Sequence, residues 1–516
     1  MSSERDPGAE ASLTRREALV KITSGGTALL LASCGMSPRR APAANGSTLL
    51  SSYVDPGGVG VLEIGDGIPL LDRQELAPRA LPGVVLCTIA HLTDVHVLDE
   101  QSPARVPFLR RLGAPFNSTF RPQEAFTAHV LAGAVRAIGR LAPNAVIQGG
   151  DLIDNAQGNE LELALELLRG GPVDPASGGR GYVGVQVASN PDPLYYRPDL
   201  DAPRHPGILA ASTRRFTSTP LSVPWHPVLG DHDILVQGVL APSKITREIA
   251  LGTRAIWDLP AHLRIPGELT DAAITAASSS PDGLAAPAVV GQLIQAASKA
   301  PAVTVPADPA RRELDVAEVL ARLRATSGSG GAGERMDYSF DVGSNVRVIV
   351  LDLVRREGGS GGLVHGEQRR WLAHELARAG RRWRLLASHQ PLTSSEGGEA
   401  LLALLDRDPR VLAAIWGHTH RNRIIPRPTR AGGYWLIATC SLIDYPQELR
   451  ALRVRETAGG GAALETWMID HVPDGEIGDV SRELSYLDSQ GGRPQAFQGG
   501  RLDRNVRLFK AAPSGD

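Results

Sequence analysis

Cysteine is nearly absent, with three residues in 516, so a disulfide framework cannot be what stabilises this chain. Cys87 and Cys440 each sit inside an apolar strand-like run and are expected to be inert buried thiols. Aromatic residues are scarce at 4%, whereas Gly (56) and Pro (38) are plentiful, which describes a loop-rich chain lean in bulky core side chains. An excess of either charge is missing too. Lys and Arg number 54 against 56 Asp and Glu, a formal net charge of -2, and this removes the electrostatic signature of a nucleic-acid binder. No repeat period is visible, and the small-residue and aliphatic stretch from Ile22 to Ser33 is too short to span a bilayer as a stable helix. At 516 residues and 42% hydrophobic content, the chain can bury a large interior. It has room for two or three domains of roughly 100–200 residues each.

What is present is an alternation of short apolar runs and helical patterns. Val84 to Ala90 is an apolar, β-branched run, and Phe126, Val130, Ala134, Ala137 and Leu141 share one helical face before the next run, Ala145 to Gln148. The pattern recurs as a strand Val346 to Leu351, a helix with Trp371, Leu372 and Leu376, a strand Arg384 to Ala387, a helix around Leu401 to Leu405 and a strand Val411 to Trp416. After Gly417 it turns to β, with Tyr434 to Ala438, Leu449 to Val454 and Leu464 to Ile469 between Gly-rich turns. The predicted fold class is α/β, with two mixed β-sheets packed as a sandwich and helices outside. Two stretches interrupt it. Between Asp154 and Trp225, a helix carrying Leu161, Leu165 and Leu168 leads into a Gly/Pro/Asp-rich segment longer than a compact connection needs, expected to hang over the site mouth. From Val239 to Arg335 runs an Ala-rich, Pro-punctuated insertion with helical patterns at Leu284 to Ala297 and Leu314 to Leu323 and a flexible run from Ser327 to Gly333. It is read as a cap-like helical subdomain. The expected organisation is an N-terminal address and linker over 1–45, an extension over 46–83, a catalytic domain over 84–455 with insertions at about 155–224 and 239–335, and a C-terminal strand, helix and tail over 456–516. Within that last part, Ser481 to Gln490 forms a short helix with Leu484 and Leu487 on one face, followed by a tail expected to pack back on the core.

Five short motifs follow probable strand ends in order: Asp94-Val-His96, Gly150-Asp151-Leu-Ile-Asp154, Gly230-Asp231-His232-Asp233, Ser388-His389-Gln390 and Gly417-His418-Thr-His420. Loops at strand ends of an α/β sheet face a common crevice. An Asp-x-His pair offers a carboxylate oxygen and an imidazole nitrogen to one point, a mix suited to Zn, Mn or Fe rather than to the all-oxygen shells of calcium. Asp151 has two oxygens with lone pairs to spare, so it could bridge two ions. Asn117, Arg121 and Arg421 lie near motif loops and could meet a phosphate, but loop polar residues are more often solvated, and they stay outside the expected site.

Taken together, the five motifs resemble the calcineurin-like metallophosphoesterase family over roughly Val84 to Val454, insertions apart. That resemblance implies a four-layer fold and two metal ions, one held by Asp94, His96, Asp151 and His420, the other by Asp151, Asp231, His389 and His418. It makes His232 the general acid over the leaving group, with Asp154 and Asp233 as carboxylates that orient ligands or His232. The implied reaction is hydrolysis of a small phosphate mono- or diester by in-line attack of a metal-bridging hydroxide, with the ions stabilising both attacking and departing oxygens. A catalytically weak or inactive binding protein on the same fold is the alternative. One departure matters: where the family usually has Gly-Asn-His, this chain has Gly230-Asp231-His232, so a third carboxylate faces the ions. It should hold cations harder and leave them weaker Lewis acids, unless one of them is a more charged ion such as ferric iron.

The N-terminus reads as an address. Arg15-Arg16 followed by the stretch from Ile22 resembles a twin-arginine export signal, and Leu31-Ala32-Ser33-Cys34 is similar to a bacterial lipobox, with Ala41-Pro42-Ala43 as a competing cleavage site. The implied partner is the twin-arginine export machinery, and the implied location is periplasmic or otherwise extracytoplasmic. Membrane contact would come only through a lipid on Cys34.

Overall fold

The computed structural model describes residues 46–112, 118–179, 181–259, 294–295, 300–491 and 496–513. The twin arginine, Cys34, Asn117 and most of the helical pattern at Leu284 to Ala297 lie outside them. Among the described residues no helix is long and apolar enough to cross a membrane.

Two mixed sheets carry the architecture. The first has seven strands in the order Leu71–Arg73, Val506–Lys510, Ala462–Asp470, Glu448–Thr457, Pro82–Leu92, Ala145–Gln148 and Trp225–Pro227. Its last three strands run parallel to one another. The second has six, in the order Tyr338–Val342, Val346–Leu351, Trp383–Ser388, Val411–Trp416, Tyr434–Ala438 and Arg423–Arg427, of which the middle four are parallel. Strands Trp383–Ser388 and Val411–Trp416 are buried at every position, as expected for parallel strands covered on both faces.

The period of two decides which side chain meets which layer. Val348, Val350, Leu385 and Ala387 point into one core with Ile89, Ile147 and Leu452 of the other sheet. Their neighbours Ile349, Leu351 and Leu386 point the opposite way, into a second core with Leu372 and Leu376 of helix Gln368–Arg378 and Leu401, Leu402 and Leu405 of helix Gly398–Leu405. On the first sheet's outer face, helices Thr127–Leu141 and Gly158–Arg169 contribute Val130, Leu131, Ile138, Leu161 and Leu165 to the core. Helix, sheet, sheet, helix is the resulting layer order.

Three stretches refine or correct the sequence reading. Residues 506–510, within the tail expected to pack back on the core, do so as a strand between Leu71–Arg73 and Ala462–Asp470. Within the Val239 to Arg335 insertion, helix Val316–Ser327 packs Val319, Leu320 and Leu323 into the main core, while Val239, Leu240, Ile256, Ile294 and Ala300 gather with Val106, Phe108 and Leu109 in a small core of their own. The run after Ser327, expected to be flexible, wraps around one side chain: the Arg324 guanidinium donates to the carbonyls of Gly330, Gly333 and Arg335 at 3.2, 2.8 and 2.7 Å. Cys87 and Cys440 are buried free thiols, as read, and burial pushes both up to about 12.

Glu313 gives the fold a measurable pH dependence. It is buried, accepts from Thr246 Oγ1 at 2.8 Å, and burial raises its carboxyl from an ordinary 4.5 to about 7, the Thr246 bond and nearby Arg247 offsetting only part of the rise. The native state therefore keeps a proton that the unfolded chain has released, so this group's contribution to stability falls as pH rises from about 4.5 through about 7. Glu313→Gln should lessen the drop in thermal midpoint between about pH 5 and pH 8 relative to wild type. An unchanged drop would mean that Glu313 ionises normally.

Candidate metal centre

All five motifs leave the C-terminal ends of parallel strands, Pro82–Leu92, Ala145–Gln148 and Trp225–Pro227 in one sheet, Trp383–Ser388 and Val411–Trp416 in the other. The loops are laced together by backbone bonds: Asp94 N to Gly150 O at 3.1 Å, His96 N to Asp151 O at 3.0 Å, and Gly417 N to His389 O at 3.2 Å. One side chain joins the two sheets' loops, since Asp94 Oδ1 accepts from His418 N at 2.9 Å, and within the first sheet Asp151 Oδ1 accepts from His232 N at 2.9 Å. Gly417 must be glycine for this closeness, because a Cβ there would overlap Thr93 Oγ1 and Asp94 Oδ2.

Backbone conformation marks the same place. Ten described non-glycine residues have positive φ, and five of them are Asp94, His96, Asp151, His418 and His420. Such conformations are disfavoured for residues with a Cβ and persist only where surrounding contacts impose them.

The side chains form two adjoining groups. Asp151, Asp231, His389 and His418 present ligand atoms within 4.8 Å of one another, and so do Asp94, His96 and His420. In the first, His389 Nε2 is 3.0 Å from both Asp151 Oδ2 and Asp231 Oδ1, and His418 Nδ1 is 3.3 Å from Asp231 Oδ1. In the second, His420 Nε2 is 3.2 Å from Asp94 Oδ1 and 3.3 Å from His96 Nε2. Asp151 Oδ2 is also 3.8 Å from His96 Nε2, so a single oxygen faces both groups. A third group, His96, Asp154 and His232, overlaps the second.

Most of the rings are held from behind. His389 Nδ1 donates to Gly149 O at 2.9 Å and His232 Nδ1 donates to Asp154 O at 2.8 Å; a carbonyl only accepts, so each Nδ1 carries the hydrogen. His96 Nδ1 pairs with Asp154 Oδ1 at 2.9 Å and His420 Nδ1 with Asp444 Oδ2 at 2.6 Å. His96, His389 and His420 are thus left with Nε2 turned inward, the arrangement in which outer partners fix a ring's tautomer for metal binding. Asp233 uses both carboxylate oxygens on backbone amides, Oδ1 for Leu152 and Ile153 and Oδ2 for Gly230, and so ties the second motif loop to the third.

A positive charge is what this arrangement lacks. Asp94, Asp151 and Asp231 are each 0% exposed, and buried carboxylates without compensation are strongly unfavourable. Four buried polar atoms converge without a hydrogen bond: Asp151 Oδ2, Asp231 Oδ2, His389 Nε2 and His418 Nδ1, one from every member of the four-residue group. Burial disfavours a charged His389 ring, yet Asp151, Asp231 and Asp94 outweigh it and hold the ring's pKa well above the ordinary histidine value. A cation is thereby called for, and the donors fit one: mixed carboxylate and imidazole ligands suit Zn, Mn or Fe.

Several supporting residues escaped the sequence reading. Asp444, which grips His420, follows strand Tyr434–Ala438, the next parallel neighbour of Val411–Trp416, so the strand-end rule applied to that loop would have found it. Arg121 donates to Asp444 from Nε at 2.8 Å and Nη2 at 3.3 Å, which makes it a brace for that carboxylate instead of a phosphate contact. Gln390 Nε2 donates to Asp231 Oδ1 at 3.0 Å, and Thr93 Oγ1 donates to Asp94 Oδ2 at 2.6 Å. Arg421 is half-buried beside His420.

Residues 331–422 match the model of the calcineurin-like phosphoesterase family, the family that the five motifs resemble. The matched segment holds His389, His418 and His420; the first three motifs precede it. Among solved structures, the chain is similar to a dimetal phosphatase from Danio rerio, at 15% identity over 76% of this chain and 98% of that one, with a TM-score of 0.37. It is also similar to a purple acid phosphatase from yellow lupin (Lupinus luteus) seeds, at 13% identity, 75% and 52% coverage and a TM-score of 0.30. A sulfate thiohydrolase from Thermus thermophilus, in complex with glycerol, gives 13% identity, 80% and 62% coverage and a TM-score of 0.28. No curated protein matches the chain.

A ligand that binds only the folded chain raises its thermal midpoint. Adding Mn, Zn or Fe to chelator-treated protein should therefore raise the midpoint by several degrees, and Asp151→Ala should abolish most of the rise. A midpoint indifferent to all three metals in calorimetry would refute the reading of this cluster as a metal centre.

Proposed function

We propose that the chain is a metal-dependent phosphoric ester hydrolase acting on small phosphate mono- or diesters. The observation that carries this reading is the convergence of four unsatisfied buried ligand atoms beside a histidine, His232, whose ring is already fixed through Nδ1. On this reading one ion is held by Asp94, His96, Asp151 and His420 and the other by Asp151, Asp231, His389 and His418. When bound, such ions supply Lewis acidity toward phosphoryl oxygens and a lowered pKa for a shared water.

The chain's own residues do the rest. Asp151 Oδ2 lies beside ring nitrogens of both ligand groups while its Oδ1 accepts from the His232 backbone, so this one side chain would help hold both ions and also positions His232. His232 holds a proton at Nε2 for the departing alkoxide, its ring oriented by the Asp154 carbonyl and lying 4.5 Å from the His96 ring, edge to face. Asp154 anchors His96 through Nδ1, and Asp444, itself gripped by Arg121, anchors His420. Supported by its first 45 residues, the chain is further proposed to be exported by the twin-arginine route, with a possible lipid at Cys34 as its membrane tether.

The test is turnover of matched mono- and diesters by the metal-loaded chain, with Asp151→Ala as the inactive control. His232→Ala should slow esters with poor leaving groups by roughly 10²–10⁴-fold and p-nitrophenyl esters far less, since general acid catalysis matters only where the leaving group needs a proton. Equal losses would remove His232 from the acid role. No turnover by wild type would favour a binding protein on this fold.

Asp444 gives an independent check. Loss of an outer partner of a metal-bound histidine typically costs about 10–100-fold in metal affinity. Asp444→Asn should weaken one of two metal-binding events in titration calorimetry by that amount and leave the other within about twofold. Unaltered affinities would make the Asp444–His420 contact purely structural.

A further inference from the structure

Immediately after the third motif, Val236 and Leu240 exchange backbone bonds of 2.8 and 3.1 Å and close a tight turn with Gln237, Gly238 and Val239 at its tip. The turn is pinned from two sides. Gln237 Nε2 donates to Asp154 Oδ2 at 2.8 Å and to Asn155 Oδ1 at 3.0 Å, and the Gln237 backbone N–H donates to Asn155 Oδ1 at 3.2 Å. From the opposite sheet's loops, Gly359 N donates to Val239 O at 2.8 Å. Gln237 and Gly238 both take positive φ, 51° and 66°, so the tip is held in a conformation that its contacts impose.

What the tip is held against is the edge of His232. A Cβ on Gly238 would overlap Cδ2 and Nε2 of that ring and come within 2.7 Å of Asp231 Oδ2. Since Nδ1 is occupied by the Asp154 carbonyl, Nε2 is the atom through which the ring can exchange a proton, and the bare main chain of Gly238 lies alongside it.

We propose that Gly238 is a specificity-determining residue: its main chain forms the wall of the leaving-group subsite beside His232, and a hydrogen in place of a side chain keeps His232 Nε2 within reach of an alcohol leaving group. The proposal deepens the phosphoesterase reading above and rests on it. A side chain at 238 would displace the ring or fill the space the leaving oxygen needs, so it would cost most for esters that depend on proton delivery. Esters of p-nitrophenol, whose anion departs unaided, would be nearly indifferent.

A second glycine supplies the control. Gly328 has nearly the same φ, 68°, with nothing within 4 Å of a Cβ, so Gly328→Ala carries the same backbone penalty without a neighbour to disturb. Gly238→Ala should be compared with it, alongside Gly238→Asn, because Asn tolerates positive φ better than other side chains and keeps the fold accessible. The metal-loaded full chain is assayed on an alkyl phosphate and on p-nitrophenyl phosphate, and the His232 ring is followed by 1H–15N correlation spectroscopy. Both Gly238 variants should lose at least about tenfold in kcat/KM on the alkyl ester and under about threefold on the aryl ester, with the His232 ring signals displaced. Gly328→Ala should change none of these. Equal losses on the two esters, or His232 signals unmoved in the Gly238 variants, would overturn the proposal. A wild-type chain inert to both esters would instead sink the hydrolase reading beneath it.

Discussion

Three carboxylates with no access to water, placed where the ends of two sheets meet, are the constraint around which this molecule is built. Moving Asp94, Asp151 and Asp231 out of solvent is unfavourable unless positive charge and directed donors meet them. Much of the surrounding architecture provides those donors. Asp94 accepts from His418 N and Thr93 Oγ1, Asp151 from His232 N, and Asp231 from Gln390 Nε2. The loops that deliver these groups adopt left-handed backbone at five motif residues, a cost that only a well-packed frame can sustain.

The frame has its own buried acids. Glu160, on the helix after the second motif, accepts the backbone amides of Asp99, Asp154 and Asn155 at 3.0, 3.2 and 2.8 Å, and Asp233 accepts three more from the second and third motif loops. Burial with Asp154 nearby raises Glu160 to about 8, and burial with Asp151 nearby raises Asp233 to about 7. These side chains fix loop shape by receiving hydrogen bonds from the backbone. The negative charge that would meet a cation is left to Asp94, Asp151 and Asp231.

How much of this was legible in the sequence follows from the range over which each signal acts. Central parallel strands such as Val411–Trp416 are short, nearly continuous apolar runs, and they were readable because both of their faces are buried. Strands at or next to the sheet margins were not: Val506–Lys510 carries Arg507 and Lys510, and Arg423–Arg427 carries two arginines and a proline, so neither has the pattern of a half-buried strand. The motifs were legible because Asp, His and Gly stand within a few residues of one another at strand ends. Asp444 and Gln390 act on His420 and Asp231 from 24 and 159 residues away; the strand ends they follow mark their place, but nothing local names the partner each one meets.

Asp231 brings these strands together. A carboxylate where the resembled family usually has a neutral amide adds a full negative charge to a site already holding two, and an uncompensated charge there would disfavour folding. In the structure Asp231 Oδ1 is met by three groups at once, the Gln390 amide at 3.0 Å, His389 Nε2 at 3.0 Å and His418 Nδ1 at 3.3 Å, while Oδ2 has no hydrogen-bond partner. Burial opposes ionisation of this acid, but His418 and His389 reverse that and hold its pKa well below the ordinary value. Oδ1 is therefore held by the Gln390 amide beside the two rings, and Oδ2 stays available to a cation. The same side chain is bounded by Gly238, whose lack of a Cβ leaves room for Oδ2 and for His232 Nε2 together. Gly238 therefore packs against the unpaired oxygen of Asp231 and Nε2 of His232 together, so a side chain at position 238 would disturb both.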